Sequence, residues 1–446
     1  MVIKWEETTV GELVKQGVLE RPLDGNHGSL HPKGEDFVSS GIPFIMASDL
    51  IGGGIDTVNC SFITIEQAKS LRKGFSKRGD VLLSHKATLG RTAIVGDIPG
   101  DFVMLTPQVT YYRPKDATKL NNRYLKYYFD SEQFQQVLQS WAGAGSTRAY
   151  IGITDQLRLP ILLPPLPEQK AIAAVLGALD DKIELNRRMN ATLEAMARAL
   201  FQSWFVDFDP VHAKSAGRQP TGMDEATAAL FPDTFQEASF GPIPHGWSAM
   251  PLSEAIEVNP RRTLKTGTIA PYLDMKNLPT QGHSAGEIVD REFASGSKFQ
   301  NGDTLLARIT PCLENGKTGY VDFLKNGQVG WGSTEYIVFS PKPPLPPQFG
   351  YLLARSDPLR THAIQNMTGT SGRQRVPSEC FSNYQLAIPT PRIAHRFDEL
   401  TEPLMAKIKA KSVESRTLAT LRDTLLPKLL SGEIRLADVE RDVACV

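Results

Sequence analysis

The chain has 446 residues, more than one ordinary hydrophobic core accommodates, and this length predicts two or three domains. Hydrophobic residues make up 41% and charged residues 22%, which is typical of a folded globular protein and excludes a disordered chain. The formal net charge is zero, so a surface for an anionic partner must come from local clusters of basic residues.

Cysteine spacing and hydropathy indicate the cellular environment of the protein. The four cysteines, Cys60, Cys312, Cys380 and Cys445, lie far apart without a CxxC pair, which argues against a disulfide framework or a zinc knuckle. No stretch approaches 18 apolar residues, and "MVIKWEETTV" at the start lacks the apolar core of a secretory signal. We therefore expect a cytoplasmic protein that does not contact a membrane.

From the N-terminus onward, the chain is organised as an internal repeat whose period is far too long for a solenoid. Six segments of the first half recur in the same order in the second half. The pairs are "KWEETTVGEL" and "GWSAMPLSEA", "PFIMASDL" and "PYLDMKNL", "KRGDVLLSHKATLGRTAIV" and "QNGDTLLARITPCLENGKTGYV", "TPQVTYYRP" and "STEYIVFSP", "GAGSTRAYI" and "GTSGRQRV", and "LPILLPPLP" and "LAIPTPRI". The separation between copies shrinks after the first pair, which predicts an early insertion in the first copy at "LDGNHGSLHPKGEDF".

Within each copy, the pattern predicts a strand, a polar loop that contains glycine, and a second strand. The first strands are Val81–Leu83 and Thr304–Leu306, and the second are Thr92–Val95 and Thr318–Val321. The loop tips carry basic and hydroxyl residues suited to phosphate and base-edge contacts: Ser84, His85, Lys86, Thr88 and Arg91 in the first copy, and Arg308, Thr310, Asn315 and Lys317 in the second. The alternative is that both are solvated hairpin loops without a ligand.

The string Gly316-Lys317-Thr318 matches the end of a phosphate-binding P-loop, but its context excludes that reading. The glycine required five residues earlier is Pro311, which has no N–H to donate, and Glu314 would face the phosphate.

Two turns rich in glycine, serine and arginine supply further candidate DNA contacts. They contain Ser146, Thr147 and Arg148 in the first copy and Arg373, Gln374 and Arg375 in the second. Arginine pairs naturally with guanine, and glutamine with adenine. The alternative is a structural turn in which Arg148 and Arg373 cap the strand that leads into each helix.

A long helix is predicted after each globular copy. Its first instance begins with Pro165, Pro167 and Glu168, an N-terminal signature. The spacing alternates between four and three residues, which is typical of a coiled coil with a polar centre. The positions are Ile172, Leu176, Leu179, Ile183, Asn186, Asn190 and Leu193 in the first helix, and Leu404, Ile408, Leu418 and Leu425 in the second. An antiparallel pair would form a spacer of roughly 55 Å; the alternative is two amphipathic helices that pack on their own domains.

These segments carry a resemblance to a known family. The strings are "LPEQKAIAAVLGALDDKIELNRRMNATLEAMARALFQSWFVDFDPV", "TPCLENGKTG", "GTSGRQRV" and "LLPKLLSGEIRL". The chain resembles the specificity (S) subunit of type I restriction–modification systems over essentially its whole length. The second helix, with "RIAHRFDELTEPL" in place of the "PEQKAIAAVL" pattern, departs from the first and puts the symmetry of partner binding in doubt.

The resemblance implies two target-recognition domains that each read one half of a bipartite, asymmetric site in double-stranded DNA. The helices fix the gap between the halves. It further implies two modification subunits that methylate adenine with S-adenosylmethionine, and restriction subunits that use ATP and Mg. No cofactor or metal is expected on this chain.

The sequence also lacks the motifs of a self-contained methyltransferase. The nearest strings to an (N/D)PP(Y/F/W) loop are "VNPRR" and "DFDPV", and no G-x-G-x-x-G follows a strand. We therefore expect a non-catalytic chain; the alternatives are a fused methyltransferase and a protein-interaction scaffold that does not read DNA.

The predicted fold class is α/β-mixed (α+β), with two globular recognition domains, two long antiparallel helices and a pseudo-two-fold repeat. The expected order is recognition domain 1 (1–163), helix 1 (164–206), linker (207–245), recognition domain 2 (246–390), helix 2 (391–431) and a C-terminal tail (432–446).

Overall fold

The structure is a computed structural model that describes residues 5–143, 149–370 and 372–434. It contains two compact units. Unit one comprises residues 1–184 and 415–446, and unit two comprises residues 185–414. Both units mix helices and strands, as predicted. Over the described ranges, no helix is long and apolar enough to span a membrane.

Unit one begins with a short strand and a capped helix and continues into further short strands and helices. Its strands are β1 Glu6–Thr9, β2 Leu23–Asp24, β3 Ile42–Ile45, β4 Leu50–Ile51, β5 Gly54–Ile55, β6 Ser61–Ile63, β7 Phe75–Ser76, β8 Val81–Lys86, β9 Thr88–Ile94, β10 Val103–Leu105, β11 Val109–Tyr112 and β12 Pro160–Leu163. Its helices are α1 Val10–Lys15, α2 Ile65–Ser70, α3 Asn122–Asp130, α4 Glu132–Trp141, α5 Ile153–Gln156 and the first part of α6, Leu166–Phe205.

Unit two begins within α6 and ends within the last helix. Its further helices are α7 Asp209–Ser215, α8 Glu225–Ala228, α9 Leu252–Ala255, α10 Pro347–Ala354, α11 Asp357–Gln365 and α12 Pro391–Leu430, whose last part belongs to unit one. Its strands are β13 Phe235–Ala238, β14 Gly241–Pro244, β15 Ser248–Pro251, β16 Ile256–Val258, β17 Ile269–Leu273, β18 Ile288–Glu292, β19 Ser297–Phe299, β20 Thr304–Ala307, β21 Thr318–Tyr320, β22 Gly330–Gly332, β23 Tyr336–Pro341 and β24 Gln385–Ile388.

Sheet topology reproduces the sequence repeat strand by strand. The antiparallel sheet β2-β11-β8-β9 of unit one corresponds to β16-β23-β20-β21 of unit two. The mixed sheet β6-β3-β10-β7 corresponds to β18-β17-β22-β19, and each has its parallel pair at the same place, β3 with β10 and β17 with β22. The pair β1-β12 corresponds to β15-β24. The two halves of the chain are therefore two copies of one domain.

The early insertion lies between β2 and β3. The chain there is longer than between β16 and β17, and it contains two short 3-10 turns, Gly28–Leu30 and Gly34–Asp36. Sequence comparison of the two copies located this insertion correctly.

Helices α6 and α12 pack against each other within each unit. In unit one, Ile172 and Leu176 of α6 share a hydrophobic core with Leu425, Leu426 and Leu429 of α12. In unit two, Leu193 and Leu404 pack on the core that contains Ile408. Half-buried side chains occupy the other predicted apolar positions, Leu179, Ile183 and Leu418.

The predicted polar centre of the helix pair is present in unit two. The Asn186 side chain is fully buried, and its Nδ2 donates to Oε2 of Glu414 at 3.1 Å. Nδ2 of Asn190 donates to Oγ of Ser412 at 3.1 Å. Residue numbers rise along α6 as they fall along α12, so the helices run antiparallel. Buried amides at such positions specify register because a shifted pairing leaves them without a partner.

The segment between α6 and the second recognition domain is ordered, as expected. Val211 of α7 and Phe231 are buried in the core of unit two, where Phe231 meets the Trp204 ring edge-on. The segment also contains the helices α7 and α8.

Candidate nucleic-acid interface

The hairpin β8-β9 forms the predicted loop tip of unit one, but its turn is tighter than the sequence indicated. Strand β8 runs to Lys86 and β9 starts at Thr88, so the chain reverses at Ala87, which has a φ of 65°. The polar residues after Leu83 therefore extend the hairpin instead of forming a loop.

Two predicted DNA contacts of unit one, Ser84 and His85, are not on the tip. Both side chains are fully buried. Oγ of Ser84 accepts from the backbone N–H of Arg91 at 2.9 Å, and Nδ1 of His85 lies 2.9 Å from the carbonyl oxygen of Ile151. Burial lowers the pKa of the His85 imidazole below its usual range. Their role in the described conformation is to hold the hairpin, which corrects the sequence prediction.

The other three predicted residues of this hairpin, Lys86, Thr88 and Arg91, are exposed. The ammonium of Lys86 lies 6.0 Å from the centre of the Tyr150 ring. Nη1 of Arg91 donates to the carbonyl of Ala47 at 3.2 Å, which fixes the direction of its guanidinium. The tip thus presents two cations and a hydroxyl, as predicted.

The turn after α4 is joined to this hairpin by backbone hydrogen bonds. The predicted residues Ser146, Thr147 and Arg148 lie outside the described residues. Immediately after them, the N–H of Ala87 donates to the carbonyl of Ala149 at 3.1 Å, and the N–H of Ile151 donates to the carbonyl of His85 at 3.1 Å. The structure therefore joins the hairpin to residues 149–151, which directly follow the second candidate segment in the chain.

Unit two repeats the same hydrogen bonds with different side chains. The N–H of Thr310 donates to the carbonyl of Gln374 at 3.0 Å, and that of Val376 donates to the carbonyl of Arg308 at 2.9 Å. On its other side, each hairpin is bonded in the same way to the residue just before its neighbouring strand, β11 in unit one and β23 in unit two. His85 N–H donates to the Gln108 carbonyl at 2.9 Å, and Arg308 N–H donates to the Glu335 carbonyl at 3.0 Å.

The two copies of this arrangement therefore share a backbone and differ in chemistry. His85 corresponds to Arg308 and Gln108 to Glu335.

In unit two, Arg375 and Thr310 hold the turn against its neighbours. Nε and Nη2 of Arg375 both reach the carboxylate of Glu335, at 2.9 and 2.7 Å, and this hydrogen bonding raises the pKa of the guanidinium. Oγ1 of Thr310 accepts from the N–H of Gln374 at 3.1 Å. Arg373 is exposed, and Gln374 and Arg308 are half-buried.

The Gly-Lys-Thr string has a structural role in unit two. Nζ of Lys317 donates to the carbonyl of Met275 at 2.6 Å, and Thr318 is buried at the start of β21. The ammonium of Lys317 is thus directed at backbone, and its contact with DNA stays a prediction. Asn315 is exposed in the helical turn that precedes it.

Arg355, which no sequence pattern singled out, supports this turn. Its guanidinium donates to the carbonyls of Thr280 at 2.6 Å, Gly282 at 2.6 Å, Gly316 at 2.8 Å and Thr318 at 2.7 Å. A planar group with five donors can bind several carbonyls at once, and here it ties two loops to helix α10.

Among the residues that the structure describes, no group of three or more His, Cys, Asp or Glu side chains is arranged to hold a metal ion.

Comparison with known proteins gives this geometry its context. Residues 3–195 match the family model described as type I restriction modification DNA specificity domain. The HindI specificity subunit of Haemophilus influenzae is 23% identical across 96% of this chain and 99% of its own length. The MjaIX specificity subunit of Methanocaldococcus jannaschii is 24% identical across 98% of both chains.

The chain is thus similar to type I specificity subunits over nearly its whole length.

A solved relative has the same fold. The S subunit of a type I restriction-modification system from M. genitalium superposes with a TM-score of 0.51 over 96% of both chains, at 15% identity. The family model ends at residue 195, and the second domain is related to the first by its strand-for-strand likeness.

Proposed function

We propose that this chain is the DNA-reading subunit of a type I restriction–modification complex. Each unit reads one half of a bipartite site, and helices α6 and α12 set the gap and bind the modification subunits. The observation that carries the proposal is a contact repeated in both units, which we call the joint: the hairpin is hydrogen-bonded to the segment that follows the glycine-rich turn. The joint links residues 85–87 to 149–151 in unit one and residues 308–310 to 374–376 in unit two. The same hydrogen bonds thus present a polar tip in both units.

An asymmetric target follows from the side chains on the two joints. Tyr150 and Lys86 stand beside the tip of unit one, whereas the Arg375–Glu335 pair stands beside that of unit two. Different donor and acceptor sets read different base edges, since each base pair shows a distinct pattern in the major groove. Two copies of one backbone can therefore recognise two unlike half-sites.

Methyl transfer and cleavage belong to partner subunits in this proposal. Modification subunits would supply S-adenosylmethionine chemistry at adenine, and restriction subunits would use ATP and Mg. The chain itself has no (N/D)PP(Y/F/W) loop to hold a flipped base. Its residues bind the duplex, fix its register and orient it toward the partners.

The test is genome-wide mapping of N6-methyladenine in cells that express the chain with its modification subunit. A second strain carries residues 1–160 replaced by the corresponding domain of another family member. We expect a split motif in which one half changes and the other half and the gap are kept. Absence of methylation at a split motif, or a change in both halves together, would contradict the proposal.

A further inference from the structure

The insertion of unit one brings a histidine segment, residues 25–31, to the hairpin tip. Asn26 anchors it, because its Oδ1 accepts from the N–H of Arg72 at 3.1 Å and its Nδ2 donates to the carbonyl of Lys73 at 2.6 Å. Nε2 of His27 lies 2.6 Å from Oδ2 of Asp24. The segment is therefore held in one place and is not a loosely tethered loop.

Asp24 connects the histidine segment to the hairpin. Its side chain is 2% exposed, and it contacts Lys73 as well as His27. Nε2 of the buried His85, directly below the tip, lies 4.0 Å from the same carboxylate. Burial alone raises the pKa of the Asp24 carboxyl, but Lys73 and His27 outweigh it and hold that pKa below its usual range.

The surface above this carboxylate is basic and aromatic. The side chains of His27 and Lys73 are 47% and 30% exposed, and Tyr150 is 46% exposed. Lys86 and Arg72 are exposed as well. The single carboxylate of Asp24 cannot neutralise the three basic residues Arg72, Lys73 and Lys86, so this part of unit one presents excess positive charge to solvent.

The second unit has no equivalent segment in its described residues. The connection from β16 to β17 is shorter, and the place of Tyr150 beside the joint is taken by Arg375 paired with Glu335. The feature is thus an addition to the repeated domain.

We propose that the histidine segment and the hairpin tip form one continuous DNA-contacting surface of unit one. In it, His27, Lys73 and Lys86 contact phosphates or base edges of the first half-site. The ligand class is double-stranded DNA, and Asp24 is the positioning residue that holds the segment. This inference rests on the proposed function and extends it to residues that the loop pattern did not include.

The test uses the full chain in complex with its modification subunits and a labelled duplex that contains the mapped site. Binding is measured over a salt series for the wild type and for the variants His27→Ala, His27→Gln and Lys86→Ala. We expect His27→Ala and His27→Gln to weaken binding by about 5-fold to 30-fold, the range of a single specific contact. Lys86→Ala should lower the slope of log affinity against log salt by about 0.9, one released counterion.

Two controls separate the possible outcomes. His395→Ala removes a histidine that is 75% exposed on α12 and should bind like the wild type. A duplex with a scrambled first half-site should abolish the difference between wild type and His27→Ala, whereas the intact duplex retains it.

The result that overturns the inference is wild-type affinity for both His27 variants while the wild type still distinguishes its site from scrambled DNA. Failure of the wild type to distinguish them would instead overturn the proposed function. If His27→Ala lowers the unfolding temperature, His27→Gln decides, because glutamine keeps a donor for Asp24.

Discussion

Replacing Asp180 with asparagine should destabilise unit one more than the same replacement at an exposed aspartate. Asp180 on α6 accepts from Nη1 of Arg422 at 2.7 Å, from the hydroxyl of Tyr127 at 2.7 Å and from Nζ of Lys126 at 3.2 Å. Its side chain is 16% exposed, and that of Lys126 is 6% exposed. The carboxylate thus joins α3, α6 and α12 in a poorly solvated place.

The magnitude follows from what asparagine keeps. Asp180→Asn preserves volume and one acceptor oxygen but leaves Arg422 and Lys126 without the negative charge. Breaking a buried ion pair from one side costs about 3–5 kcal/mol. Lys126 retains Asp130 at 2.8 Å, so we expect about 2–4 kcal/mol at neutral pH. For a unit of this size, that corresponds to roughly 5–12 °C in unfolding temperature.

The neighbouring residue provides a matched control. Asp181 is 63% exposed and pairs with Arg123, which is 47% exposed, so Asp181→Asn should cost less than about 1 kcal/mol. Urea unfolding followed by circular dichroism measures both variants. A difference of less than about 0.5 kcal/mol between them would refute the reasoning, because it would mean that burial of the cluster contributes nothing.

The cluster around Asp180 should also make the stability of unit one depend on pH in the acid range. Burial raises the pKa of Asp180, but Lys126, Arg422 and Tyr127 together hold it below its usual range. A depressed folded pKa stabilises the protein above the unfolded value, near 3.9, and this stability is lost as pH falls through the folded pKa. The wild type should therefore lose stability below about pH 4 by more than Asp180→Asn does.

Four further predictions concern the joints and the helices. Because burial lowers the pKa of His85, protonation favours the unfolded state, and the stability of unit one should fall as pH drops below about 6.5. The loss should be smaller in His85→Gln, measured by urea unfolding at pH 7.5 and 5.5, and equal losses in both proteins would contradict this. Glu335→Ala should change the free energy of unfolding by less than about 1 kcal/mol, but it releases Arg375 and should change which sequences of the second half-site are methylated. An unchanged sequence preference at the second half-site would count against a reading role for this pair. Arg355→Lys should lower the free energy of unfolding of unit two in urea by about 2 kcal/mol, because one ammonium cannot bond four carbonyls. The control Arg392→Lys, at an exposed arginine, should have no effect, and equal stabilities of the two variants would show that the carbonyl contacts are dispensable. Deleting residues in register from both long helices should shorten the methylated gap, and variants that keep the original gap would exclude a spacer role.

The sequence was sufficient for the architecture because the repeat is long-range information. Six matched segments in one order predicted two equivalent domains, and the corresponding sheets confirm them. The spacing of α6, with Asn186 and Asn190 among apolar positions, predicted the helix pair and its polar centre. Helical periodicity is local, so it survives in a sequence without knowledge of the partner.

The candidate site was less accessible to prediction because its residues act through tertiary contacts. Ser84 and His85 were assigned to a loop since polar residues usually end a strand, yet both are buried; Ser84 bonds Arg91 across its own hairpin, and His85 bonds Ile151, which is distant in sequence. The ammonium of Lys317 was assigned to DNA, and backbone carbonyls from another loop bind it. Tyr150 was missed because an exposed tyrosine has no motif of its own.

The division of the chain also bears on how the protein is made. Unit two is one continuous stretch, residues 185–414, so all of it has been synthesised before α12 is complete. Unit one begins synthesis first but needs the last helical turns, where the carbonyl of Leu430 accepts from the Trp5 indole at 2.8 Å and Arg422 meets Asp180. The first domain to be translated should thus be the last to finish folding, and released chains truncated after residue 414 should protect unit two from protease while leaving unit one open to it.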